Sequence, residues 1–304
     1  MLDGHDWISV HAFSHAGTGP LVAGAVAPQL RHWQATGRVR NSFYLNHWEG
    51  GPHVRVRLLP TDPADAGALQ RDLTSALQAY LAGRSGRAMP PEQYRQLVEQ
   101  GQALERGASD LPLHPDGTVV PWAYRPEWER FGGPERAASV IRVFGVSSAL
   151  AGAVNEADWS APRRISLALQ GALWTLHRVI PSGQALLDAL SHAARFWSAS
   201  PGDAFQPPGV GMNALPRTED SALRRWTAEL LTGAEPRTHP FARTLSDEIQ
   251  RHVADPGSES ASMALDLLHL HHNRLGFSVW HEARTWTTLL QAVHHTIKGE
   301  RYAH

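Results

Sequence analysis

"NSFYLNHWEGGPHVRVRLLP", residues 41–60, reads as two β-rich runs, 41–48 and 53–60, separated by the turn-forming EGGP. A hairpin here commits the N-terminal part of the chain to an antiparallel sheet. In the second run the strand period of two places His53, Arg55 and Arg57 on one face and Val54, Val56 and Leu58 on the other. The apolar face packs. The cationic face is either solvated or a clamp for a carboxylate or oxyanion, because two arginines and a histidine in line repel one another unless water or an anion lies against them. Of the residues before the turn, Asn46, His47, Trp48 and Glu49, the tryptophan is expected to pack, and the role of His47 stays open.

Outward from the hairpin, "WISVHAF" (7–13) alternates as a half-buried strand. Helical spacing follows in 20–33 (Leu21, Ala25, Val26, Leu30, Trp33), and Leu69, Leu73, Leu77, Tyr80 and Leu81 mark a helix that ends before Gly83. This order gives an α+β layer, an N-terminal antiparallel sheet with helices on one face. After 118–134 the pattern turns helical, over 135–153, 163–179, 184–198, 219–232, 241–254, 260–275 and 278–297, with Pro or Gly between most segments. We read residues 1–304 as a single domain with an α+β part, 1–134, and a mostly helical part, 135–304. The aperiodic stretch 198–220 is either a surface connection or a lid or peptide-binding loop.

A net charge of −1 and a pI near 7.0 leave no long-range field to attract nucleic acid or an anionic membrane, so cationic residues have to act locally. The absence of cysteine excludes disulfides, thiolate metal sites and thiol nucleophiles. The opening "MLDGHDWISVHAF" has no basic signal-peptide region, and no apolar run reaches transmembrane length, so the expected location is the cytoplasm.

Two further stretches carry polar groups of interest. In "AYRPEWERFGGPERAA", Arg125 and Arg130 flank Glu127 and Glu129, and Gly132-Gly133-Pro134 opens a helix whose N-terminus would suit an anion. Ordinary surface ion pairs at a helix start are the other reading. In "LHLHHNRLG" (268–276) a helix would put His269, His272 and Asn273 on one face, with His271 and Arg274 elsewhere. A zinc site there would have to recruit His281 and Glu282 from further along, and the register lacks the HExxH spacing, so no metal is assigned. A core histidine and a proton-carrying histidine both remain.

The aromatic-rich strand, "GGPHVRVRL", "YRPEWERFGG" and "HLHHNRLG", in that order, resemble the C-terminal domain of lantibiotic dehydratases, described in stand-alone form as a thiopeptide-type bacteriocin biosynthesis protein. The resemblance runs from Trp7 to about Arg284, with no aminoacylation domain before it. It implies a lyase that eliminates glutamate from glutamylated Ser or Thr in a precursor peptide, without a cofactor. A separate glutamyl-tRNA-dependent protein would make the substrate, and the chain itself would bind neither nucleic acid nor membrane; homodimerisation is compatible with this. Carried over residue by residue, the resemblance implies His269 as acid or base and Arg57 and Arg130 as anion stabilisers. Arg55, Arg125 and His53 would assist binding, with Asn273 and Arg274 as supports. The chain departs from the family pattern at Asn46, at the "HWEGGPH" turn, at Phe131 and at Leu270, which bears on leader or substrate details more than on the reaction.

The same fold also serves pyridine synthases, which join two dehydroalanines in a formal four-plus-two cycloaddition and then eliminate water and leader peptide. The retained HLHHNR set favours elimination, since those relatives tend to lose it. A third reading, a non-catalytic peptide-binding partner, would need no titrating histidine.

Overall fold

The computed structural model of the chain describes residues 6–84, 88–104, 111–127, 130–131, 133–180, 182–199, 221–231, 240–252 and 258–301. It divides into two compact units, Met1–Trp159 with Asn273–Gly276, and Ser160–His272 with Phe277–His304.

The first unit is built on β1 (Ile8–Phe13), β2 (Val39–His47), β3 (His53–Pro60) and β4 (Val119–Pro121), antiparallel in the order β2-β3-β1-β4. Val10, Ala12, Val54, Val56 and Leu58 line one face and are wholly buried. Two helices cover that face. The first, α1, runs from Gly19 to Ala35 and α2 spans Ala66–Ala82; they present Leu30 and Trp33, and Leu69, Leu73 and Leu77, at helical spacing. Within α1, Val22–Val26 widens to π pitch just before Pro28, which has no N–H to offer the carbonyl four residues back.

The hairpin forms around EGGP as expected. The Gly51 N–H bonds to the Trp48 carbonyl at 2.9 Å, and Gly50 and Gly51 adopt φ of +74° and +107°, which residues with a Cβ rarely take. Helix α3 (Pro91–Leu104) braces this turn: the Tyr94 hydroxyl accepts from Gly50 N at 2.9 Å, and Gly101 leaves space for the Trp48 ring, so Trp48 packs. Neither α3 nor β4 was expected from the periodicity. The first is largely polar, with a short buried stripe of Tyr94, Leu97 and Val98, and the second is three residues long and ends in proline.

Strand β2 is a sheet edge whose free backbone groups need partners. Helix α4 (Pro134–Glu156) starts after Gly133 with proline at its first position, and its Ser148 hydroxyl accepts from Tyr44 N at 3.1 Å. Asn41 Nδ2 donates to the Ile141 carbonyl at 3.0 Å.

The second unit is helical: α5 (Ala161–Val179), α6 (Gly183–Ser198), α7 (Ser221–Leu231), α8 (Pro240–His252), α9 (Ser258–Arg274) and α10 (Val279–Arg301). Each lies within a few residues of its expected span. Helix α10 packs on α6 and α7, and α5 on α8. Residues 200–220, most of the stretch considered as a lid or connection, lie outside the described residues. No helix among the described residues is long and apolar enough to cross a membrane.

Candidate functional site

The polar face of the sheet is buried, so the solvated reading of the HxRxR strand does not hold: His11, His53 and Arg57 are 3%, 1% and 7% exposed. Register explains the cluster. His11 pairs with Arg55, Ser9 with Arg57 and Phe13 with His53, and cross-strand partners share a face. The His53 ring stacks on His11 (4.9 Å between centroids), and His11 stacks on Trp122 (5.0 Å).

Each imidazole in this cluster accepts a hydrogen bond. His53 takes Arg55 Nε–H at Nε2 (3.1 Å) while its Nδ1–H donates to the Gly51 carbonyl (2.8 Å). His11 Nε2 faces Arg57 Nη2 at 3.3 Å, and His47 Nδ1 accepts from Glu49 N at 3.2 Å. A second proton on any ring would turn an acceptor toward a donor. Burial first, and the arginine charges after it, hold all three below the ordinary histidine range, His53 down to about 3.

Arg55 is paired with Glu49 at 2.9 Å. Arg57 has His11, the Val56 carbonyl (3.4 Å) and the Tyr124 ring (5.1 Å), and no carboxylate among the described residues. Burial, with Arg55 next to it, pulls its guanidinium down to about 9, still a cation at neutral pH. Burial pushes the Tyr124 phenol up to about 12, so its O–H remains a donor. A buried cation beside a phenol, with no counter-charge, is an arrangement that receives an anion.

Asn273 and Arg274 bind the backbone of β2. The Asn273 amide accepts from Asn46 N (2.9 Å) and donates to the Asn46 carbonyl (3.0 Å), as a neighbouring strand would. Arg274, 1% exposed, donates Nε–H to the Tyr44 carbonyl (2.8 Å) and Nη1–H to Ser147 Oγ (3.3 Å), over the Phe144 ring. Helix α9 then stops at Gly276 (φ +85°), where Phe277 N reaches back to the His272 carbonyl at 3.0 Å.

In the second unit, the end of α9 and the first turns of α10 meet at one carboxylate. Glu282, 2% exposed, takes His269 Nδ1 on Oε1 (3.1 Å), and His272 Nδ1 (3.1 Å) with Trp286 Nε1 (2.8 Å) on Oε2. Burial alone would raise its pKa, but the neighbouring imidazole of His272 and the hydrogen bonds from both histidines override it and bring the carboxyl to about 2. As Glu282 is ionised, both Nδ1 atoms must donate, and in a neutral His269 ring the lone pair then lies on Nε2. His269 rests on the Trp197 ring (4.5 Å between centroids) and keeps its side chain 26% exposed, whereas that of His272 is fully buried. His271 is also buried, at 4%. No group of three or more His, Asp or Glu among the described residues is placed to hold a metal ion.

Arg125 and Arg130 are exposed; Arg130 pairs with Glu127 (3.2 Å) and lies over the Phe131 ring. Sequence reasoning missed His11, Tyr124 and the orienting role of Glu282. The alternation of "WISVHAF" contained His11, but only the register puts it against Arg57.

Residues 7–293 match the family model described as the lantibiotic biosynthesis dehydratase C-terminus. No curated protein sequence matches the chain. Among solved structures the fold is similar to the pyridine synthase TbtD from thiomuracin biosynthesis, at TM-score 0.73 and 19% identity over 94% of this chain and 97% of that one. It is also similar to the tRNA-dependent lantibiotic dehydratase MibB from Microbispora sp. 107891, at TM-score 0.61 and 18% identity, with 99% of this chain spanning 29% of the dehydratase. TsrL follows at TM-score 0.56 and 15% identity, covering 97% of this chain and 94% of that one. At such identities the likeness is one of fold.

Proposed function

The chain belongs to the lantibiotic biosynthesis dehydratase C-terminal family, and from that membership we propose that it eliminates glutamate from glutamylated Ser or Thr in a ribosomally made precursor peptide. The observation that carries this reading is His269, held through Nδ1 by a buried, ionised carboxylate while its side chain stays partly open to solvent. That is the arrangement of an oriented general base. In the reaction, His269 Nε2 takes the Cα proton of the modified residue. The electron pair left behind forms the Cα–Cβ double bond, the Cβ–O bond breaks, and glutamate departs as a carboxylate, giving dehydroalanine or dehydrobutyrine.

Arg57 is assigned to negative charge on the substrate, with the Tyr124 hydroxyl as a neighbouring donor. Arg130 is the weaker candidate, because it is exposed and already carries a carboxylate partner. The peptide substrate and a separate glutamylating protein are the partners this reading requires.

A second reading, pyridine synthesis from two dehydroalanines, is favoured by one observation: this chain and TbtD cover each other almost end to end, whereas it spans under a third of MibB. The test of the main reading is incubation of wild-type and His269→Ala protein with a glutamylated Ser peptide, followed by mass. Wild type should release glutamate and leave dehydroalanine, and the variant should leave the glutamylated peptide intact. Loss of glutamate at equal rates from both would remove His269 from the mechanism.

A further inference from the structure

Three hydrogen-bond donors converge on Glu282, and they are not equivalent. The Trp286 indole N–H can only donate, whereas His269 and His272 can each present either a donor or an acceptor at Nδ1, depending on tautomer. We propose that Glu282 is a positioning residue that sets the tautomer of His269, with Trp286 fixing how the carboxylate is used; this rests on the reading of His269 as the proton carrier.

Oε2 serves Trp286 (2.8 Å) and His272 (3.1 Å), and Oε1 is left for His269 (3.1 Å). An ionised carboxylate offers acceptors on both sides, so a neutral His269 must carry its proton on Nδ1 and expose the Nε2 lone pair. All three contacts are buried or partly buried, where an unmade hydrogen bond is expensive, and the preference is correspondingly strong.

Glu282→Gln makes the dependence visible. The amide has one accepting and one donating end. Its oxygen is drawn to the side of Trp286, where two donors wait and the indole cannot reverse its role. The NH2 group then faces His269 Nδ1, which has to accept, moving the ring proton to Nε2. The base is thereby blocked although shape and volume hardly change. Removing the indole donor as well, in Glu282→Gln/Trp286→Phe, frees the amide to turn its oxygen to His269 in part of the population and returns the original tautomer there.

The experiment is long-range 1H–15N correlation on histidine-labelled protein at neutral pH, with glutamate release measured alongside. Wild type should show the Nδ1–H form at both His269 and His272. E282Q should show Nε2–H at His269 with His272 unchanged, and its elimination rate should fall by on the order of 10⁴-fold, as when the analogous orienting carboxylate of a serine protease triad becomes an amide. The double variant should regain part of the Nδ1–H signal and react faster than E282Q, although one more residue has been changed. Nε2–H at His269 in wild type, an unchanged His269 tautomer in folded E282Q, or a double variant no faster than E282Q would each overturn the proposal. The tautomer shift does not depend on which peptide reaction is catalysed. A shift without any glutamate release in wild type would leave the positioning role standing and refute the elimination reading instead.

Discussion

Acidification below pH 6.5 should destabilise the sheet unit through its three imidazoles. His11, His47 and His53 each accept a hydrogen bond from a neighbouring donor, Arg57, Glu49 N and Arg55 respectively, and each is held below the ordinary histidine range. Their folded pKa values lie below the unfolded one, so the unfolded chain binds more protons and stability falls as pH falls. For His53 the window runs from about 6.5 down to about 3. While the folded rings remain neutral, each costs roughly 1.4 kcal/mol by pH 5.5, about 4 kcal/mol for the three, a large share of the ~5–15 kcal/mol of a typical domain. Glu282, brought down to about 2, adds a further loss in the second unit only as pH drops below about 4.5. The assay is urea denaturation at pH 7.5, 6.5 and 5.5, combined with amide exchange at Val10, Val54 and Val56 to read the sheet itself. His53→Gln should remove about a third of the slope. An unfolding free energy that stays flat from pH 7.5 to 5.5, or a slope untouched by His53→Gln, would refute the account of these rings.

Asn273→Ala strips both partners from the Asn46 backbone and should lower stability by about 2–4 kcal/mol, read as a fall in melting temperature. Arg57→Ala should slow glutamate release by about 2–4 kcal/mol of barrier; Arg57→Lys should rescue poorly, lacking the planar fork, and Arg130→Ala should stay close to wild type. His271→Ala should lose stability because the ring is buried, yet retain the reaction in the folded fraction, while His269→Ala should keep its fold and stall with glutamylated peptide, a contrast that melts and mass spectra resolve.

How far the sequence could be read depended on the range of the interaction. Periodicity is local, so the hairpin, the cationic strand face and the six helices described in the second unit were legible, as was the shared face of His269 and His272, which both reach Glu282. Contacts between distant segments were not. Glu282 lies thirteen residues after His269, beyond the turn at Gly276, and only the pairing of α9 with α10 brings its carboxylate to the ring. Asn273 and Arg274 were expected as supports, but that they complete a strand edge 227 and 230 residues earlier depends on tertiary structure. Helix α3 was missed because its apolar stripe is short, Tyr94, Leu97 and Val98 in an otherwise polar segment.

The measurement closest to the central claim offers wild-type protein two peptides in one reaction, one carrying a glutamylated serine and the other two dehydroalanines, and follows both masses with time. Elimination by the His269–Glu282 pair predicts that the glutamylated peptide loses glutamate and gains dehydroalanine while the second peptide persists. Disappearance of the bis-dehydroalanine peptide with release of water and leader, and an unchanged glutamylated peptide, would contradict it.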